Sequence, residues 1–281
     1  MTPNRMLTSA CGVTVPPLLY GTAWKKERTA PLVEQALLLG FRGIDTACQP
    51  KHYHEAGVGQ GVAAGLQRGL SRAELYLQTK FTPLSGQDPA RIPYDPRATL
   101  SQQVAQSFRQ SLLNLQTDYL DCLLLHSPLP TPSQTLEVWQ AMEELVGNGG
   151  VKQLGISNCY DPALLAQVYD NSSIKPAVLQ NRFYAATRYD REIRAYCREQ
   201  AILYQGFWTL TANPGLLAHA TLHDLAKTYQ RSPEQIFYRY LSQIGVIPLI
   251  GTTSSLHMQE DLSIFAFELT ASERDRVTLL L

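Results

Sequence analysis

The 281-residue sequence carries no net charge, since 24 Lys and Arg are balanced by 24 Asp and Glu. Basic residues scattered in that way create no strong field for nucleic acid or anionic lipid. No stretch approaches the roughly 20 consecutive apolar residues needed to span a bilayer. The opening MTPNRMLTSACGVTVPP lacks the continuous apolar core of a signal peptide. A cytoplasmic protein without membrane or nucleic-acid partners is expected. Cysteines are sparse: Cys11, Cys48, Cys122, Cys159 and Cys197 are odd in number, far apart and form no C-x-x-C pair. That pattern argues against a disulfide framework and against a zinc site, so no bound metal is expected. No G-x-G-x-x-G follows a strand-like run, and no low-complexity linker or composition break divides the chain. One domain over residues 1–281 is the expectation.

What is present is a repeated beat of apolar run, loop and amphipathic helix. The strand candidates are 18–22 (LLYGT), 43–47 (GIDTA), 75–81 (LYLQTKF), 119–126 (YLDCLLLH), 151–157 (VKQLGIS), 177–183 (AVLQNRF), 202–207 (ILYQGF) and 246–251 (VIPLIG). Most are apolar on both faces, as strands of a covered parallel sheet are. Helical spacing, with Pro or Gly at the ends, marks 29–40, 98–115, 133–149, 161–170, 191–200 and 232–245. Eight strands alternating with helices in about 250 residues fit a closed (β/α)8 barrel. The segment 6–17 reads as a small β-hairpin before the barrel, and 85–97 as a Pro- and Asp-rich loop.

Barrel enzymes keep their chemistry at the C-terminal ends of the strands. Asp45, Lys80 and His126 close the second, third and fourth runs, and Tyr53 lies in the loop beyond the second. Each has an ordinary reading alone: a strand-end Asp as a cap or turn residue, Lys80 as a snorkelling lysine, His126 as a hydrogen-bonded wall residue. A carboxylate, a phenol, an ammonium and an imidazole on one rim instead suit proton transfer to a polarised oxygen.

FRGIDTA with Y-H-E-A-G-V-G beyond it, LQTKF, DYLDCLLLHSP, LGISN, a Gln near the end of the sixth strand and EDL near the C-terminus occur in order from about residue 6 to residue 270. This series resembles the aldo-keto reductase superfamily. The resemblance implies a (β/α)8 TIM barrel and an NAD(P)H-dependent oxidoreductase that reduces aldehydes or ketones, small-molecule carbonyl substrates, to alcohols. It implies Tyr53 as general acid, Lys80 lowering the phenol pKa, Asp45 fixing Lys80, and His126 holding the carbonyl oxygen. The family pattern puts Tyr five residues after the Asp, where this chain has Pro50. The loop is two residues longer, and Tyr53 is its only phenol, flanked by His52 and His54, which leaves the acid open between them.

For the cofactor, the resemblance implies contacts from Gly21, Thr22 and Trp24 after the first strand, from Ser157, Asn158 and Gln180 to the carboxamide, and from Phe207 stacked on the nicotinamide. Thr252, Thr253 and Ser254 open the last barrel helix, whose N–H groups suit a phosphate, and Gln259, Glu260 and Asp261 would face adenine and ribose. Gly251 and His257 stand where NADPH-dependent relatives usually carry Lys and Arg. Family frequency favours NADP(H) over NAD(H). On the substrate side, Ser127 replaces a common Trp and no long C-terminal tail follows, which implies an open pocket walled by Trp24, Tyr53, His126 and Trp208. Two other readings stay open: a cofactor-binding regulatory subunit of this fold, like the potassium-channel β subunits, and a Schiff-base lyase using Lys80. The oligomeric state is not legible.

Overall fold

The computed structural model describes residues 6–281, so Met1–Arg5, the start of the expected 1–281 unit, lie outside the described residues. Its centre is a closed ring of eight parallel strands, β3 Leu19–Gly21, β4 Gly43–Asp45, β5 Tyr76–Phe81, β6 Cys122–Leu125, β7 Leu154–Ser157, β8 Val178–Arg182, β9 Leu203–Phe207 and β10 Val246–Ile250. They pair in chain order, and β10 closes against β3. This is the (β/α)8 barrel expected from the alternation of apolar runs and helices. The hairpin expected at 6–17 is also present, as β1 Leu7–Thr8 antiparallel to β2 Thr14–Val15, with Leu7 opposite Val15.

Strand parity sorts the side chains. The residues turned inward form layers. The floor is apolar: Val15 of the hairpin packs with Leu19, Tyr76, Cys122, Val178 and Ile247 in one buried cluster. Above it lies a polar layer of Asp45, Gln78, Gln180 and Gln205, all buried. The opposite strand faces meet the helices through a larger cluster that includes Leu77, Leu123, Ile156 and Leu179.

The helical ring contains α1 Thr29–Leu39, α2 Glu55–Gln67, α3 Leu100–Leu115, α4 Pro132–Gly147, α5 Pro162–Asn171, α6 Arg191–Glu199, α7 Pro214–Leu217, α8 Ala220–Tyr229, α9 Pro233–Gln243, α10 Ser255–Leu262 and α11 Ala271–Thr278. Sequence spacing did not identify α2. Its EAGVGQGVAAGLQ is rich in glycine, the weakest helix former after proline. Close packing explains the composition. A Cβ on Gly59 would lie 2.1 Å from the Asn114 carbonyl oxygen, and one on Gly61 2.6 Å from that of Ala30. Glycine therefore lets α2 approach α3 and α1 more nearly than any other residue would.

Candidate active site

Asp45 and Lys80 are each 1% exposed. Lys80 Nζ donates to Asp45 Oδ2 at 2.7 Å and to the Thr46 carbonyl at 2.8 Å. The other carboxylate oxygen, Oδ1, accepts from Gln78 Nε2 at 2.7 Å and Gln180 Nε2 at 3.0 Å. Both glutamines also donate to Gln205 Oε1, at 2.8 and 2.9 Å, and Gln205 Nε2 returns a bond to Gln78 Oε1 at 3.0 Å. A buried carboxylate is tolerated when its lone pairs are filled and its charge matched, and this layer does both. Burial alone would lower the Lys80 ammonium, but Asp45 and Tyr53 outweigh it and the net shift is upward. Lys80 is therefore a permanent cation near neutral pH.

Tyr53 is half-buried above the pair, with Lys80 Nζ 5.2 Å from its ring centre. The lengthened loop that carries it is strapped down. Cys48 N donates to the Lys80 carbonyl at 3.2 Å, Tyr53 N to the Gln49 carbonyl at 3.1 Å, and Trp24 N to the His52 carbonyl at 2.7 Å. Gln49 Nε2 ties the same loop to the Gly86 carbonyl at 2.8 Å. The two extra residues thus form a defined turn. The net pKa of Tyr53 differs from the sequence-based expectation. Burial raises it most, Lys80 lowers it, Asp45 raises it, and the sum is upward. Lys80 acts in the expected direction, but desolvation is larger.

His126 follows β6 directly and meets Tyr53 edge-on, with ring centres 6.0 Å apart. Its Nδ1 lies 2.6 Å from Thr82 Oγ1. Burial first, then the charges of Lys80 and His52, push its pKa well below the usual imidazole range. His126 is therefore neutral at physiological pH. Its backbone carbonyl accepts from Asn158 Nδ2 at 2.8 Å, which links the ends of β6 and β7.

Tyr53, His126 and Asp45 border a cavity of about 1120 Å³ at the C-terminal mouth of the barrel. Gly21, Trp24, Ser157, Asn158, Gln180, Phe207, Trp208, Thr252, Thr253, Glu260 and Asp261 line it too. The structure thus brings together expected residues from seven of the eight strand ends, and Thr82, directly after β5, supplies the eighth. Lys80 sits behind the wall. Thr22 turns away, its hydroxyl donating to the Asp45 carbonyl at 2.9 Å. Ser254 is the N-cap of α10, accepting from His257 N at 3.3 Å, and Gln259 is exposed on that helix; neither borders the cavity. Of the loop histidines, His52 lines the cavity and stacks on Trp24 at 4.0 Å, whereas exposed His54 precedes α2 outside it. Trp208 is 48% exposed, a cavity wall and not core. Tyr94 is buried against Phe81 and donates to the Thr82 carbonyl at 2.8 Å, outside the cavity.

Several groups at or beside the cavity escaped the sequence reading, among them Thr82, whose hydroxyl meets His126. Gln78 and Gln205 were readable as amides inside apolar strands, at the parity that faces the barrel axis. Arg182 was readable the same way, two residues after Gln180. Lys25 was not, because its role depends on a chain segment more than two hundred residues away. Its Nζ donates to the Gly251 carbonyl, and a Cβ at Gly251 would lie 3.7 Å from it. Burial, then the nearby Arg28, brings the Lys25 pKa down to about 8.

This architecture agrees with known proteins. The sequence model of the Aldo/keto reductase family matches residues 18–281. The chain is 32% identical over 249 residues to the uncharacterized oxidoreductase YtbE of Bacillus subtilis, covering 88% of this chain and 82% of that protein. It is 30% identical over 248 residues to the glyoxal reductase of the same organism, with the same coverage of 88% and 82%. Among solved structures, an aldo/keto reductase from Brucella melitensis superposes with a TM-score of 0.83 at 28% identity, covering 99% of both chains. A Bombyx mori aldo-keto reductase in complex with NADP does so with a TM-score of 0.83 at 25% identity, covering 99% of this chain and 93% of that one. The chain belongs to the aldo/keto reductase family.

Proposed function

We propose that the protein is an NAD(P)H-dependent reductase of aldehydes or ketones, with Tyr53 as general acid. The observation that carries this reading is the phenol set between a permanently charged Lys80 beneath it and neutral His126 beside it, at the floor of an open cavity. The bound nicotinamide would supply a hydride to the carbonyl carbon. Negative charge then grows on the carbonyl oxygen, and Tyr53 is placed to give it a proton. The Lys80 ammonium stabilises the phenolate that is left, and Asp45, held by Gln78 and Gln180, keeps that ammonium in place. With the Thr82 hydroxyl donating to Nδ1 of His126, Nε2 carries the ring proton and donates to the carbonyl oxygen, orienting the substrate and stabilising its developing charge.

The residues present fit a dinucleotide. Phe207 offers a ring face, Ser157 and Asn158 offer polar groups to a carboxamide, and the start of α10 offers backbone N–H groups beside Thr252 and Thr253. The cavity volume exceeds the roughly 300–1,000 Å³ usual for one small ligand, leaving room for cofactor and substrate together. Lys25 supports NADPH as the preferred form. Its ammonium reaches Gly251 from the opposite side of the β10–β3 seam, so a cation stands where the β10–α10 segment has none of its own. The NADP found with the Bombyx mori relative agrees with this preference.

Two measurements test the reading. Wild-type protein should oxidise NADPH when an activated aldehyde is added, and Tyr53→Phe should reduce kcat by about 10²–10⁴-fold, the range for a lost general acid. Full activity in that variant would remove Tyr53 from the role. Lys25→Met should weaken NADPH binding, read by tryptophan fluorescence, by about tenfold and NADH binding much less. Because the ammonium loses its proton near pH 8, wild-type NADPH affinity should decline as pH rises through that value. Equal losses for both nucleotides would reject a phosphate-selective role.

A further inference from the structure

Arg182 is the last residue of β8, with Gln180 and Val178 two and four positions before it on the same inward face. Val178 belongs to the apolar floor and Gln180 to the Asp45 layer, so Arg182 is the rim residue of that strand and lines the cavity. Its guanidinium Cζ lies 4.2 Å from the centre of the Trp208 ring and 5.2 Å from that of Tyr184. Aromatic faces on a guanidinium fix its plane while leaving its N–H edge free.

Among the described residues that edge has no protein partner. The Arg182 guanidinium makes no hydrogen bond or ion pair, and its Nε is buried without one. The contrast with Arg72 is direct: that side chain bonds Thr117, the Leu75 and Tyr119 carbonyls and Asp121, all within 3.0 Å. Nor does a neighbouring acid neutralise Arg182 in secret. Asp190 is occupied by Asn181 Nδ2 at 2.8 Å and the Tyr204 hydroxyl at 2.9 Å. A cation with five donors, held by two rings at the edge of a cavity and left unpaired, is preorganised for an anion.

We propose that Arg182 binds an anionic group of the substrate, so that the enzyme selects carbonyl compounds bearing a carboxylate or a phosphate. This rests on the carbonyl-reductase reading above. The site is on the catalytic part of the mouth. Arg182 N donates to the Tyr160 hydroxyl at 3.1 Å, that hydroxyl to Asn158 Oδ1 at 3.4 Å, and Asn158 Nδ2 to the His126 carbonyl at 2.8 Å. In the ring of eight, β8 stands four strands from β4, across the mouth from the loop that holds Tyr53. A substrate between them presents its carbonyl to Tyr53 and His126 and its anion to Arg182. The cofactor's diphosphate is the other anion of the same chemistry. Its candidate site lies elsewhere, at the backbone N–H groups that open α10.

The test compares 4-carboxybenzaldehyde with 4-nitrobenzaldehyde as substrates of the full-length protein, Arg182→Met and Arg182→Lys. Methionine keeps apolar contact with Trp208 without the charge, and thermal denaturation checks that the variant folds. Arg182→Met is expected to lower kcat/KM for the carboxylated aldehyde by about 10–100-fold, mostly through KM, the range for a charge-assisted bond. The nitro compound should change less than about twofold, Arg182→Lys should recover part of the loss, and calorimetric NADPH affinity should not move. Equal losses on both aldehydes, or no loss on either, would overturn the proposal. Weakened NADPH affinity with both aldehydes affected alike would assign the guanidinium to the cofactor and overturn it too. If the wild type turns over neither aldehyde, the reductase reading fails by itself. Ligand-observed NMR of 4-carboxybenzaldehyde with the protein and oxidised cofactor then decides, since binding equal in wild type and Arg182→Met refutes the anion site and binding lost in the variant upholds it.

Discussion

Replacing Lys80 by methionine separates what the buried ion pair does for folding from what it does for chemistry. The substitution keeps the length of the side chain and removes the ammonium. Asp45 Oδ2 then loses its donor at 2.7 Å, and the Thr46 carbonyl loses one at 2.8 Å. Gln78 and Gln180 still donate to Oδ1, but no cation remains to match a charge that is 1% exposed. Breaking a buried pair from one side costs about 3–5 kcal/mol. At roughly 2 °C per kcal/mol for a chain of this size, that is a fall of about 6–10 °C in Tm. Adding Asp45→Asn removes the orphaned charge, while the amide oxygen still accepts from both glutamines. The double variant should therefore regain at least about 2 kcal/mol over Lys80→Met alone. Activity should not follow. Without the ammonium the Tyr53 phenol loses the largest influence that lowers its pKa, and both variants should be slowed by about 10²–10⁴-fold. Urea denaturation and NADPH oxidation, run on the same three proteins, give the two readings. A Lys80→Met variant as stable as wild type would show that the ammonium has no role in folding, and a double variant with restored turnover that it has none in the chemistry.

Asp261 is buried near Glu260 and Glu234, and burial first, then those two charges, raises its pKa from 3.8 to about 7. The folded state therefore holds a proton that the unfolded state releases at lower pH, and the stability it contributes is lost between about pH 4 and 7. Asp261→Asn should raise stability by about 4 kcal/mol at pH 8 and by nothing near pH 4; a Tm difference independent of pH would contradict this. On the fold, Gly59→Ala would drive a methyl to within 2.1 Å of the Asn114 carbonyl oxygen. A destabilisation of about 1–3 kcal/mol or more is expected from such overpacking, and a neutral substitution in chemical denaturation would show that α2 and α3 separate easily.

The barrel itself was legible in the chain because its signal is local. A strand covered on both faces must be apolar throughout, and a helix packed on it must repeat its apolar residues at helical spacing. Those rules located all eight strands. They missed α2, where helix propensity is sacrificed to the close approach of α1 and α3, a demand set by residues far away. The candidate site divides in the same way. Asp45, Lys80 and His126 end strands, so strand boundaries alone bring them to one rim. Tyr53 could be nominated but not located, because a loop two residues longer has no fixed path until its own Cys48, Gln49 and His52 bond to Lys80, Gly86 and Trp24. The net rise of the Tyr53 pKa was hidden for a related reason: Lys80 is visible as a neighbour in the sequence pattern, whereas the extent of desolvation exists only in the packed site.

Composition and spacing by themselves determined the alternating architecture, the family pattern and the residues that ring the barrel mouth. Tertiary structure decided where each charge is left paired or free. It filled the lone pairs of Asp45 with glutamines from β5 and β8, and it carried Lys25 to Gly251. It also left Arg182 stacked between two rings with its donors unspent. Electrostatic matching depends on distances of a few ångströms between segments remote in sequence, and only the closed barrel sets those distances.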